Sequence, residues 1–95
     1  MEDTITRWHI YFDGRVQGVG FRFTAQIIAT GLGLTGWVRN MYDGRVEMEA
    51  QGASDNLQKL IDLLKSTPPI HVTDCSIRDC PVKEGEKKFS VISSF

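Results

Sequence analysis

Between Arg7 and Asp13 apolar side chains alternate with polar ones. Trp8, Ile10 and Phe12 fall on one face and His9, Tyr11 and Asp13 on the other, the period of a strand with one buried side. From Phe21 the period becomes helical, with Phe21, Ala25, Ile28, Ala29 and Leu32 on one stripe and a stop at Gly31 and Gly33. Extended runs follow at Thr35 to Met41 and Arg45 to Gln51, joined through Asp43-Gly44, a hairpin pair because glycine takes positive φ cheaply. In the second run Val46, Met48 and Ala50 turn inward, leaving Glu47 and Glu49 as a solvated surface. Ser54 stands at the expected cap of a second helix, with Asp55 in its first turn. Leu57, Leu60, Ile61 and Leu64 form its apolar stripe, which Pro68-Pro69 ends. His71 to Ile77 and Lys87 to Ile92 are the remaining strands.

The order is therefore β-α-β-β-α-β, with room for a short extra strand where the tail divides. Two amphipathic helices each need an apolar surface, and one face of a sheet can serve both. The predicted class is α+β: a ferredoxin-like sandwich with a four- to five-stranded antiparallel sheet and both helices on one face. A chain of 95 residues is enough for a single domain, 1–95, with one core.

Charge limits the partners. Eleven Lys and Arg against twelve Asp and Glu give a net charge of -1, so no global positive field holds nucleic acid or an anionic membrane, and neither partner is expected. No apolar run has the length of a signal or a membrane span, which makes the cytoplasm the expected location. Cys75 and Cys80 lie five apart in an extended segment, on opposite faces, and are expected to be free thiols. With His71 they lack the close paired spacing of a zinc site, so neither metal nor cofactor is expected.

Chemistry concentrates in two segments. In Gly14-Arg15-Val16-Gln17-Gly18-Val19-Gly20-Phe21-Arg22 a glycine-rich turn leaves a strand and opens a helix. Gly14, Gly18 and Gly20 let the backbone bend and approach a ligand, so that the amides of Gln17, Gly18, Val19, Gly20, Phe21 and Arg22 can face a common hollow. Arg22 adds a planar set of donors able to grip two phosphate oxygens. The plain alternative is a turn that needs glycine for its shape alone, beside a solvated arginine. The segment lacks the Gly-Lys-Ser/Thr ending of a nucleotide loop and the spacing of a dinucleotide fingerprint, which favours a small phosphate group over ATP or NAD. In the second segment, Gly36 to Glu47, Asn40 ends a strand just ahead of a tight turn. Its amide can donate and accept hydrogen bonds, or it can simply begin the turn.

Together the two segments resemble the signatures of the acylphosphatase family, Gly-x-Val-Gln-Gly-Val-x-Phe-Arg and Gly-Trp-Val-x-Asn-x-x-Asp-Gly-x-Val-Glu, both intact at Gly14 to Arg22 and Gly36 to Glu47. The resemblance spans nearly the whole chain in length and element order. It implies hydrolysis of the carboxyl-phosphate bond of a small-molecule acyl phosphate, on a ferredoxin-like fold and without a metal. Nothing in the sequence suggests an obligate partner, so a monomer is expected. It makes Arg22 the phosphate-binding arginine, residues 17 to 22 its backbone cradle, and Asn40 the residue that orients the attacking water. One departure is visible. The position after the asparagine is often threonine or another small polar residue in the family, and here it is Met41, which removes a hydroxyl that would steady Asn40.

Two other classes share the fold. An RNA-recognition module would stack bases on sheet aromatics such as His9 and Tyr11, but the third strand offers Glu47, Glu49 and Gln51 where such a module carries aromatic and basic side chains. A non-catalytic module that binds a small anion would have no use for a water-orienting Asn40 beside the arginine loop.

Overall fold

The computed structural model describes residues 4–93. The elements are β1 (Ile5–Arg15), α1 (Phe21–Gly31), β2 (Thr35–Asn40), β3 (Val46–Ala53), α2 (Ser54–Lys65), β4 (His71–Cys80) and β5 (Phe89–Val91). They form one sheet in the order β4-β1-β3-β2-β5. Neighbours among the first four strands run antiparallel, with Ile10 opposite Met48 and Ile77, and Val38 opposite Met48.

The short fifth strand departs from the expected antiparallel pattern. It lies parallel to β2, with Gly36 opposite Phe89 and Val38 opposite Val91. Its direction follows from the path of the chain. β4 finishes beside Arg7, at the end of the sheet where β1 and β2 begin, and residues 81–88 cross that end to the far edge. A strand starting there can only run the way β2 runs.

Alternation places the core as expected. Ile10, Phe12, Val38, Val46 and Met48 are fully buried on the inner face, against Phe21 and Ala25 of α1 and the Leu57, Leu60, Ile61 and Leu64 stripe of α2. Each such side chain contributes about 1.5–3 kcal/mol on leaving water. Ser54 is the first residue of α2 and not its cap. β3 passes straight into the helix, and Ala53, still extended, takes the cap position without a side-chain bond. Among the described residues no helix is long and apolar enough to cross a membrane.

The outer face of the sheet overturns one expectation. Glu47 and Glu49 are not a solvated surface: Glu47 is only 6% exposed, and Arg7, opposite Gln51 on β1, is 1% exposed. β3 is a central strand, so cations reach it from both sides. Arg39 Nε lies 2.6 Å from Glu47 Oε1, His9 Nε2 lies 2.7 Å from Glu47 Oε2, and the Tyr11 hydroxyl donates to Oε2 at 3.3 Å. Arg7 donates to Glu49 at 2.6 Å, to Gln51 at 3.1 Å and to Glu86 of the crossing loop at 2.8 Å.

Burial alone would raise the Glu47 carboxyl, but the bonds from Arg39 and His9 outweigh it and hold the group below its ordinary 4.5. Glu86 follows the same logic, burial being overcome by Arg7, and it too lies below 4.5. A carboxylate whose folded pKa is depressed stabilises the protein above its unfolded pKa, and that contribution fades as pH falls through the folded value. Chemical denaturation should therefore show stability declining as pH drops below 4.5. Glu47→Gln should cost about 2 kcal/mol at neutral pH and flatten the acid decline. An unchanged acid profile in that variant would count against the role given to Glu47.

Candidate active site

The glycine turn grows out of a local defect in the sheet. Between Asp13 and Gly14 the pairing of β1 with β4 slips, and a Cβ on Gly14 would collide with the carbonyl oxygen of His71. A positive φ of 121° and the close approach of the neighbouring strand both require glycine at this position. Gly18 and Gly20 answer the expectation differently: both have positive φ, 73° and 77°, and a Cβ on either would meet open space.

Gly20 occupies the cap position of α1 in the left-handed conformation, with no side-chain cap bond and no acidic residue in the first turn. The Thr24 N–H, donating to the Gly20 carbonyl at 3.0 Å, is where the helical ladder begins. The amides of Phe21, Arg22 and Phe23 precede that ladder, and the helix dipole leaves this end equivalent to about half a positive charge. A helix start with no carboxylate of its own is suited to an external anion.

Arg22 and Asn40 meet at this helix start. Val16, Gly18, Gly20, Phe21, Arg22, Phe23 and Asn40 line a hollow of 110 Å³. Arg22 is half-buried, and its Nη1 donates to the Ile92 carbonyl at 3.2 Å, just beyond β5. Ile92 is itself anchored, its N–H donating to Val38 of β2 at 2.9 Å. The Oδ1 of Asn40 is buried with no hydrogen-bond partner among the described residues. Such an oxygen costs about 1–3 kcal/mol when nothing donates to it, and the next side chain, Met41, carries no hydroxyl.

Gln17 does more than lend its backbone. Its Nε2 donates to the carbonyl oxygens of Met41 at 2.7 Å and Arg45 at 2.9 Å, fastening the glycine turn to both arms of the β2–β3 turn. Sequence reasoning placed Gln17 in the cradle and missed this bond, because its acceptors are carbonyls with no signature in the sequence. Asp43 is the turn residue that the sequence suggests: Oδ1 accepts from the Arg45 N–H at 3.1 Å and Oδ2 from its Nε at 2.8 Å. Those bonds, led by the Arg45 backbone N–H, hold the Asp43 carboxyl below its ordinary value despite slight desolvation. A second hollow of 260 Å³ shares Asn40 and is lined by Arg39, Asn40, Met41, Tyr42 and Asp43.

The other candidates stand apart. Cys75 and Cys80 are free, and burial pushes both thiols up, toward the unreactive protonated form. Among the described residues no group of three His, Cys, Asp or Glu could hold a metal ion.

Comparison with known proteins adds an independent line. The family model for acylphosphatase matches residues 8–91. The chain is 43% identical over 89 residues to an acylphosphatase of Bacillus subtilis, covering 93% of this chain and 98% of that one. It is 42% identical over 86 residues to one of Clostridium beijerinckii, with 90% and 96% covered. The crystal structure of acylphosphatase from Bacillus subtilis superposes with a TM-score of 0.85 at 41% identity, covering 94% of this chain and 99% of that one. With the family model spanning residues 8–91 and these relatives matched over nearly their full length, the chain belongs to the acylphosphatase family.

Proposed function

We propose that the protein hydrolyses acyl phosphates, releasing a carboxylate and inorganic phosphate, at the hollow between Arg22 and Asn40. The observation that carries this reading is the meeting of an uncapped, acid-free helix start, an arginine and a strand-end asparagine around one small cavity. The amides of residues 17 to 22 and the Arg22 guanidinium hold the phosphoryl oxygens, and Asn40 orients the attacking water. An acceptor with no donor among the described residues, such as Asn40 Oδ1, supports that assignment, since a water-orienting amide needs a place for the water's hydrogen.

The chemistry asks little more of the protein. An acyl phosphate is a mixed anhydride whose carboxylate leaves as a weak base, so no general acid is needed. In-line displacement at phosphorus then reduces to positioning and charge stabilisation. Asn40 does not titrate and cannot be a base. The nearby carboxylates are poor ones, since Asp43 is engaged by Arg45 and Glu47 by Arg39 and His9. The proton of the water therefore passes to a phosphate oxygen of the substrate. The same reading makes the protein a metal-independent, cytoplasmic monomer with no nucleic-acid partner.

Breakdown of benzoyl phosphate by the purified protein in the presence of EDTA tests the reaction. Hydrolysis is expected, and phosphate binding without turnover would favour a small-anion binder on the same fold. Arg22→Gln should impair both substrate binding and turnover by about a hundredfold or more, the scale of losing one preorganised charged donor. Asn40→Ala should lower kcat on a similar scale while inhibition by inorganic phosphate is retained, and unchanged turnover would remove its water-orienting role. Gln17→Leu should lower kcat and cost about 1 kcal/mol in denaturation, because it frees the glycine turn from the hairpin. Full activity in that variant would show that the tie is not needed.

A further inference from the structure

Two large apolar side chains on α1 have no part in the core. Phe23 is 70% exposed and Ile27 is 72% exposed. At four residues apart they stand one turn from each other on the same face, about 6 Å along the axis, away from the Phe21, Ala25 and Ala29 stripe that packs inward. Singly, such residues need no explanation. Phe23, however, lines the phosphate-sized hollow. Of the other six lining residues, Val16 and Phe21 are buried, Gly18 and Gly20 have no side chain, and Arg22 and Asn40 are polar.

In-line displacement adds a direction. If Asn40 holds the water, the bond to the leaving carboxylate points away from Asn40. The 260 Å³ hollow around Met41 and Tyr42 is the rival place for the acyl group, and no residue of α1 lines it. Phe23 is the exposed apolar side chain lining the phosphate-sized hollow itself, and Ile27 stands one turn further along α1. We infer that Phe23, extended by Ile27, forms the acyl subsite and selects substrates with aromatic or other bulky apolar acyl groups over acetyl phosphate. This inference rests on the proposed hydrolase reaction and adds the specificity of that site.

The test compares kcat/KM for benzoyl phosphate and acetyl phosphate in the wild-type protein and in Phe23→Ser, Ile27→Ser and Tyr42→Ser. Comparing ratios between variants cancels the intrinsic reactivity of the two substrates. Phe23→Ser should lower the benzoyl-to-acetyl ratio by about tenfold, the scale of one lost aromatic contact. The effect should fall on KM with kcat nearly kept, as for contacts made equally in ground and transition states. Phe23→Trp should restore the ratio, and Ile27→Ser should lower it by a smaller factor. Tyr42→Ser should leave it unchanged, and inhibition by inorganic phosphate should be the same in all variants. A ratio that Phe23→Ser does not move, or that Tyr42→Ser lowers instead, overturns the inference while the hydrolase reading stands. A wild-type protein that hydrolyses neither substrate overturns both.

Discussion

A single side-chain amide holds the proposed site together. Nε2 of Gln17 has two hydrogens, and both are used, one on the Met41 carbonyl and one on that of Arg45. The glycine turn that presents the helix start and the strand end that presents Asn40 come from segments more than twenty residues apart. Neither is rigid on its own account, since one is a loop with two left-handed glycines and the other a hairpin turn. The amide spans them and sets the helix-start amides and Asn40 in one frame, and positioning is most of what the proposed chemistry requires.

The sheet supplies the second constraint. Its inner face is an ordinary apolar core, but its outer face is a lattice of ion pairs centred on β3, with Arg7 and Glu47 almost wholly out of water. Buried charge gives little net stability unless every group is paired. Here the pairs span β1, β3, β2 and the crossing loop, so the strands are registered by charge as well as by main-chain bonds. β2, which carries Asn40, is fixed by Arg39 one residue before it.

How much of this could be read from the sequence depended on how local each feature is. Strand and helix periods placed the elements, because Ile10, Phe12, Val46 and Met48 show which face is buried from their spacing alone. The Asp43-Gly44 turn and the helix-start glycines were legible for the same reason: each is a backbone preference of the residue present. The ion pairs of Glu47 were not, because alternation tells which face a residue takes but not that its strand sits between two others bearing cations. The bend at Gly14 was legible, but the strand it must admit was not, since only the slip in the β1–β4 pairing shows that neighbour. The parallel run of β5 became visible once the ends of β4 and β2 were known to coincide.

The bond from Arg22 to Ile92 gives the fold a timetable. The arginine leaves a ribosome some seventy residues before the carbonyl that receives its guanidinium, and that carbonyl is docked on β2 only after β5 has closed the edge of the sheet. A nascent chain can thus present the glycine turn early, yet this brace for its cation arrives with the final strand. The Arg22 side chain therefore gains this brace only once the chain has been made through Ile92 and β5 has docked.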